Sequence, residues 1–172
     1  MKKVVFLDID GVLNSNFWNE NHQREISDGI LIDESKVKML CKLDRDADAK
    51  IILHSGWKYW FDSDLKPLRR EAENLRALLE KEGLTIAGVT PDHTTEEIRK
   101  SKKFSLVKAG EILEWLAQHK DVDRWVVLDD LDLHNAEIEK HQVRTDQRIG
   151  LTIEDVEKAE RMLRRENGKE PV

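Results

Sequence analysis

Lys2-Lys3-Val4-Val5-Phe6-Leu7-Asp8-Ile9-Asp10-Gly11-Val12-Leu13-Asn14 is the stretch whose reading decides the fold. An apolar, β-prone run ends in two carboxylates spaced i, i+2, and a glycine follows them directly. Alternate residues of an extended segment point the same way, so Asp8 and Asp10 converge just past the end of a strand. Two acids crowded together repel, which favours a bound divalent cation or a raised pKa on one of them. Either state suits phosphoryl transfer, with one carboxylate attacking phosphorus and the other handling protons.

The rest of the chain alternates strands with helices. Residues 49–53 predict a second buried strand, which runs into His54-Ser55-Gly56-Trp57-Lys58. Residues 85–89 predict a third, cut off by Pro91, and residues 124–128 a fourth, ending in Asp129-Asp130-Leu131-Asp132. A weaker fifth is expected over residues 142–145. After a polar stretch over residues 14–29, Asp33 reads as the N-cap of a short helix ending near Leu43, with Val37, Leu40 and Cys41 on one face. Pro67 predicts the start of a long helix carrying Leu68, Ala72, Leu75, Leu78 and Leu79, stopped by Gly83. Residues 104–119 predict another, with Leu106, Val107, Ile112, Leu113 and Leu116. Thr152 and Asp155 make a capping box for a last helix with Val156, Ala159 and Leu163 facing inward.

Apolar strands alternating with helices indicate an α/β fold, a three-layer, doubly wound and mainly parallel sheet covered on both faces. A single domain is expected over residues 1–165, with residues 166–172 as a frayed tail. Ligands of such sheets bind beyond the carboxyl ends of the strands, where the strand order switches. Asp8, Asp10, Ser55, Asp129 and Asp130 all fall on that edge.

Composition narrows the functional classes. A chain of 172 residues, 39% hydrophobic and 37% charged, is long enough to bury one real core under a charged surface. A net charge of -6 argues against non-specific coating of nucleic acid, while leaving a nucleotide or a nucleic-acid end as substrate. Cys41 is the only cysteine, which removes internal disulfides and cysteine-rich zinc sites. No apolar stretch approaches membrane-spanning length, so no membrane partner is expected. Asp8 and Asp10 interrupt the first apolar run, so no signal peptide is read and a cytoplasmic location is expected.

These residues resemble a known family. Asp8-Ile9-Asp10-Gly11-Val12-Leu13 resembles motif I of the haloacid dehalogenase (HAD) superfamily. Ser55 after Ile51-Ile52-Leu53-His54 resembles its Ser/Thr motif II, and Asp129-Asp130 after Val126-Val127-Leu128 its acidic motif IV. The basic motif III residue is expected at Lys108, with Lys102 and Lys103 as alternatives. More narrowly, residues 6–14, 51–58, 126–132, and 143–146 leading to Gly150-Leu151-Thr152, are similar to the HAD domain of Swiss Army Knife RNA-repair proteins.

The resemblance implies a Rossmann-like HAD core and a Mg2+-dependent phosphatase working through an aspartyl-phosphate. Asp8 would be the nucleophile and Asp10 the acid and then base, its pKa raised by burial and neighbouring charge. Asp8, Asp10 (through a backbone carbonyl of the Ile9-Asp10 region) and Asp130 would hold Mg2+, with Asp129 beside them. Ser55, Gly56 and backbone amides would bind the phosphoryl oxygens, with Lys108 as the cationic clamp. The partner implied is a phosphorylated substrate, a nucleotide or nucleic-acid phosphate end. Two departures stand out. Leu133-His134-Asn135 occupies the place where many members carry a further acid after motif IV. The insertions at residues 14–32 and 91–103 are far too short for a lid with its own core, so a minimal cap and an open site are expected.

Each element also has an ordinary structural reading. Asp-x-Asp-Gly and Ser-Gly are common turns, and a lysine opening a helix is commonly solvated. The run Arg99-Lys100-Ser101-Lys102-Lys103 either grips phosphates or is an exposed loop. Asp132 reads equally as a supporting acid or a surface residue, and His54 and His134 more readily as structural than as substrate contacts. Trp57 and Trp60 read as packing rather than base-stacking platforms. Two other functional classes stay open: a catalytically silent metal- or phosphate-binding domain, and a phospho-accepting signalling module. The second is disfavoured because strand two ends in Ser55 rather than in an aspartate.

Overall fold

The computed structural model describes residues 2–164. Five segments pair into one sheet: β1 (Lys2–Leu7), β2 (Ala49–Leu53), β3 (Ile86–Val89), β4 (Val122–Asp129) and β5 (Gln142–Arg144). All neighbours run parallel, in the spatial order β3-β2-β1-β4-β5. The helices are α1 (Asn16–Asn21), α2 (Gln23–Ser27), α3 (Glu34–Ala47), α4 (Arg70–Lys81), α5 (Glu96–Ser101), α6 (Ser105–Gln118), α7 (Ala136–Glu139) and α8 (Ile153–Arg164). A short 3-10 helix, Gly56–Trp60, follows β2.

Alternation along the strands builds two cores. Val5 and Leu7 of β1, with Ile51, Leu53, Val126 and Leu128, pack against α3, α4 and α8. Val4 and Phe6, with Ile52 and Val127, pack against Ala109, Ile112 and Trp115 of α6 and Ile138 of α7. This is the three-layer α/β fold expected. Helices α1, α2 and α5 contain no buried residue, so neither insertion has a core and the cap is minimal. Among the described residues, no helix is long and apolar enough to cross a membrane. The expected tail at residues 166–172 lies outside them.

Several boundaries differ from expectation, each for a local reason. Helix α3 continues past Leu43 to Ala47, where Asp48 takes a left-handed conformation and returns its N–H to the Asp44 carbonyl. Helix α4 begins at Arg70, not Pro67. Pro67 instead bridges Phe61, and the Leu68 N–H donates to the Trp60 carbonyl at 2.7 Å, which leaves the Leu68 side chain exposed rather than in the core. Leu106 of α6 is likewise exposed. Helices α1 and α2 lie in the stretch read only as polar, and α5 and α7 in segments for which no helix was expected. Ser15, Thr95 and Asn135 cap three of them by accepting backbone N–H bonds.

The capping box of α8 is reciprocal. The Thr152 N–H donates to Asp155 Oδ2 at 3.0 Å, and the Asp155 N–H donates to Thr152 Oγ1 at 3.2 Å. Thr152→Ala is expected to lower stability by about 1 kcal/mol in urea unfolding, and Thr152→Ser by much less.

Candidate active site

The parallel register sets the acids side by side. Leu7 pairs with Leu128, and the Asp8 N–H donates to the Leu128 carbonyl at 3.0 Å. Asp8 therefore stands beside Asp129 as the two strands end. Oxygens of Asp8, Asp129 and Asp130 all lie within 4.8 Å of one another. Lys108, on the first turns of α6, points its Nζ at Asp129 Oδ2 (2.8 Å) and Asp8 Oδ1 (3.5 Å). Both partners of Lys108 are buried, as is Lys108 itself.

Asp129 is the anchor of this group. Its Oδ2 accepts from Lys108, and its Oδ1 accepts from the Leu131 N–H at 2.9 Å. His54 is buried behind it, with Nε2 3.4 Å from Asp129 Oδ2. Burial drives the His54 pKa down to about 3, so the imidazole is neutral at physiological pH.

The acids titrate in opposite directions. Burial, and then the Asp129 charge, push Asp8 well above the usual carboxylate range, with Lys108 opposing them. Burial and Asp129 likewise push Asp130 up to about 6. Burial also works against the charge on Asp129. The contacts to His54 and Lys108 override it and hold Asp129 low, and with His54 neutral the ammonium is the standing cation. Burial alone would lower Lys108, but Asp8 and Asp129 outweigh it and raise the ammonium above the ordinary lysine value. One cation against three acids leaves negative charge uncompensated. An all-carboxylate donor set of this kind fits a hard divalent cation such as Mg2+.

Asp10 stands apart from the cluster, and its expected burial is not met: the side chain is exposed. Its Oδ1 accepts from Asn14 Nδ2 at 2.9 Å and its Oδ2 from Trp57 Nε1 at 3.3 Å. Asn14 Oδ1 in turn accepts from the Gly11 N–H, and Thr145 Oγ1 donates to the Gly11 carbonyl at 2.7 Å. Gly11 adopts φ +85, and a Cβ there would sit 2.6 Å from the Asp130 carboxyl carbon. Glycine is what lets Asp130 close over the turn.

A cleft of about 600 Å3 opens over these residues and is lined by Asp8, Asp10, Ser55, Gly56 and Lys108 among others. Ser55 is buried, and its Oγ accepts from the Trp57 N–H at 3.1 Å as the cap of the 3-10 helix. Lys102 and Lys103 line the same cleft at its exposed rim, and the lysine paired with Asp8 is Lys108. Asp132 is exposed and accepts from the His134 N–H, outside the acid cluster. Trp57 is buried against Trp60, and the Arg69 guanidinium lies 4.3 Å over the Trp60 ring, so both indoles pack as structural residues. Lys58, Glu111, Tyr59 and Phe104 also line the cleft and were missed from the sequence. Glu111 lies three residues after Lys108 on one helix face, the single local signal available.

A doubly wound parallel sheet with acids at the ends of β1 and β4 defines a HAD-type α/β domain. A family model described as the HAD domain in Swiss Army Knife RNA repair proteins matches residues 4–156, and the chain belongs to that family. No curated protein and no solved structure matches the chain. Membership supports a HAD-type hydrolase in general terms, in a family that typically uses a metal ion.

The raised carboxyls make a pH prediction. A carboxyl whose folded pKa lies above its unfolded value binds its proton more tightly when folded. The stability it contributes is present at low pH and is lost as pH rises from about 4 towards 6 for Asp130. A cation relieves that loss, so the rise in Tm on adding Mg2+ over EDTA is expected to be larger at pH 7.5 than at pH 5. Asp130→Asn should raise the Tm in EDTA at pH 7.5 and abolish most of the Mg2+ increment.

Proposed function

We propose that this chain is a Mg2+-dependent phosphatase that works through an aspartyl-phosphate on Asp8. The observation that carries the reading is the pairing of a buried strand-end Asp8 with Lys108, both lining the cleft, with two further acids beside them. An Asp8 carboxylate oxygen attacks phosphorus and the bond from phosphorus to the leaving oxygen breaks. Asp10, held by Asn14 and Trp57, gives its proton to the leaving oxygen. Asp10 then takes a proton from water as that water attacks phosphorus, which frees Asp8 and releases inorganic phosphate. Lys108 and Ser55 bind the phosphoryl oxygens, where donors already in place stabilise the charge of the transition state. Asp8, Asp129 and Asp130 would hold Mg2+, with the Asp10 backbone carbonyl expected beside them, and the ion would neutralise charge on the phosphoryl oxygens.

The substrate we infer is a phosphate end carried on a nucleotide or nucleic acid. Two features of the rim support it. Lys102 and Lys103 offer charge for a further phosphate, and the exposed rings of Tyr59 and Phe104 offer faces to a base.

Phosphate release is the test, using p-nitrophenyl phosphate, mononucleotides, and oligonucleotides with 3′- or 5′-phosphate ends, with and without Mg2+. Turnover should require the metal, vanish in Asp8→Asn and fall by about 10² or more in Lys108→Ala. Absence of turnover on the whole panel, with Mg2+ still raising the Tm, would favour the silent binding domain.

A further inference from the structure

Lys58 and Glu111 form a buried ion pair in the wall of the cleft, and neither has a part in the chemistry above. They are 8% and 3% exposed. Lys58 Nζ lies 3.0 Å from Glu111 Oε2, and donates to the Pro91 carbonyl at 2.9 Å and to Thr90 Oγ1 at 3.2 Å. An ammonium has three N–H donors, so all three are spent and none is left for a substrate phosphate. Glu111 Oε2 also accepts from the His93 N–H at 2.9 Å.

The contacts tie together three elements that meet at the site. Lys58 belongs to the 3-10 helix that Ser55 caps and Gly56 begins. Thr90, Pro91 and His93 form the loop beyond β3. Glu111 lies one turn along α6 from Lys108 and on the same face, since residues three apart are neighbours on a helix. Glu111 lies midway along α6, so the pair grips the helix two turns in from its start. That helix starts at Ser105 with Phe104 at the N-cap giving no side-chain hydrogen bond, and Gly110 weakens its intrinsic helix preference.

Stability does not account for the pair. Desolvating two charges offsets their attraction, and replacing both partners with apolar residues of similar volume is often neutral or stabilising. We propose that Lys58 and Glu111 are positioning residues that fix the rotation of α6 against the Ser55-Gly56 turn. Lys108 and Ser55 thereby reach the phosphoryl group at Asp8 together. The proposal rests on the phosphatase reading.

The test pairs stability with kinetics in the variants Lys58→Met/Glu111→Leu and Glu111→Gln. The double variant should keep a Tm no lower than wild type and keep the Mg2+-induced rise in Tm, which reports the acid cluster independently of activity. Its kcat should fall by about 10- to 100-fold, because a misplacement of about 1 Å costs that much, while KM changes by less than about threefold. Glu111→Gln, which keeps acceptors for Lys58 and the His93 N–H, should recover part of the rate. A folded double variant with kcat within about twofold of wild type overturns the proposal. Should the double variant not fold, Glu111→Gln decides alone: an unchanged kcat overturns the proposal and a several-fold fall supports it. Wild-type protein without activity on the panel would count against the phosphatase reading instead.

Discussion

One ammonium among three carboxylates is the constraint on which the rest of the site depends. Lys108 Nζ is held at 2.8 Å by Asp129 and faces Asp8 at 3.5 Å, in a place that water barely reaches. Such an arrangement is tolerable for Asp8, Asp129 and Lys108 because they pair with one another, while Asp130 is left without a cation of its own. An isolated buried charge would shift its pKa until it became neutral. The sheet makes the grouping possible. All five strands run parallel, so the residues following β1, β2 and β4 arrive on one edge. The register of β1 on β4 is decisive, since a slip of one residue would turn Asp129 to the opposite face of the sheet and strand Lys108.

Much of this was legible in the chain because it is written locally. The apolar runs before Asp8, Ser55 and Asp129 gave strands whose ends define the edge, and the periodicity after Phe104 placed Lys108 near the start of a helix. The capping box at Thr152 and Asp155 was equally readable, since both halves lie within one turn. What escaped was nonlocal. Nothing near Lys58 announces that its ammonium will meet Thr90, Pro91 and Glu111 across two other elements. The surroundings of Asp10 belong in part to the same class, since Trp57 reaches its carboxylate from a distant segment. Proline misled at position 67 because it suits a first helical turn and an edge bridge equally well, and here the contact with Phe61 decided. The short helices α5 and α7 were hidden by length: Thr95 and Asn135 are proper caps, yet no apolar stripe follows them.

The two carboxylates of the opening motif illustrate how environment separates identical side chains. Asp8 is sealed at the strand end against Lys108, while Asp10, two residues on, sits at the surface with a donor on each oxygen. The turn between them and Asn14 is held by backbone contacts that only a small residue permits, with Gly11 pressed under Asp130 and tied to Asn14 and Thr145. Burial first and neighbouring charge second, and not chemical identity, set Asp8 apart.

The short insertions carry a kinetic meaning. A site enclosed by a mobile lid waits for that lid to open before product departs. Here α1, α2 and α5 bury nothing of their own, so among the described residues no lid with its own core stands over the cleft. On the phosphatase reading proposed above, selectivity would reside in the floor and rim of the cleft, which meet only the terminal groups of a substrate. The remainder of such a molecule, however long, would extend unexamined into solvent.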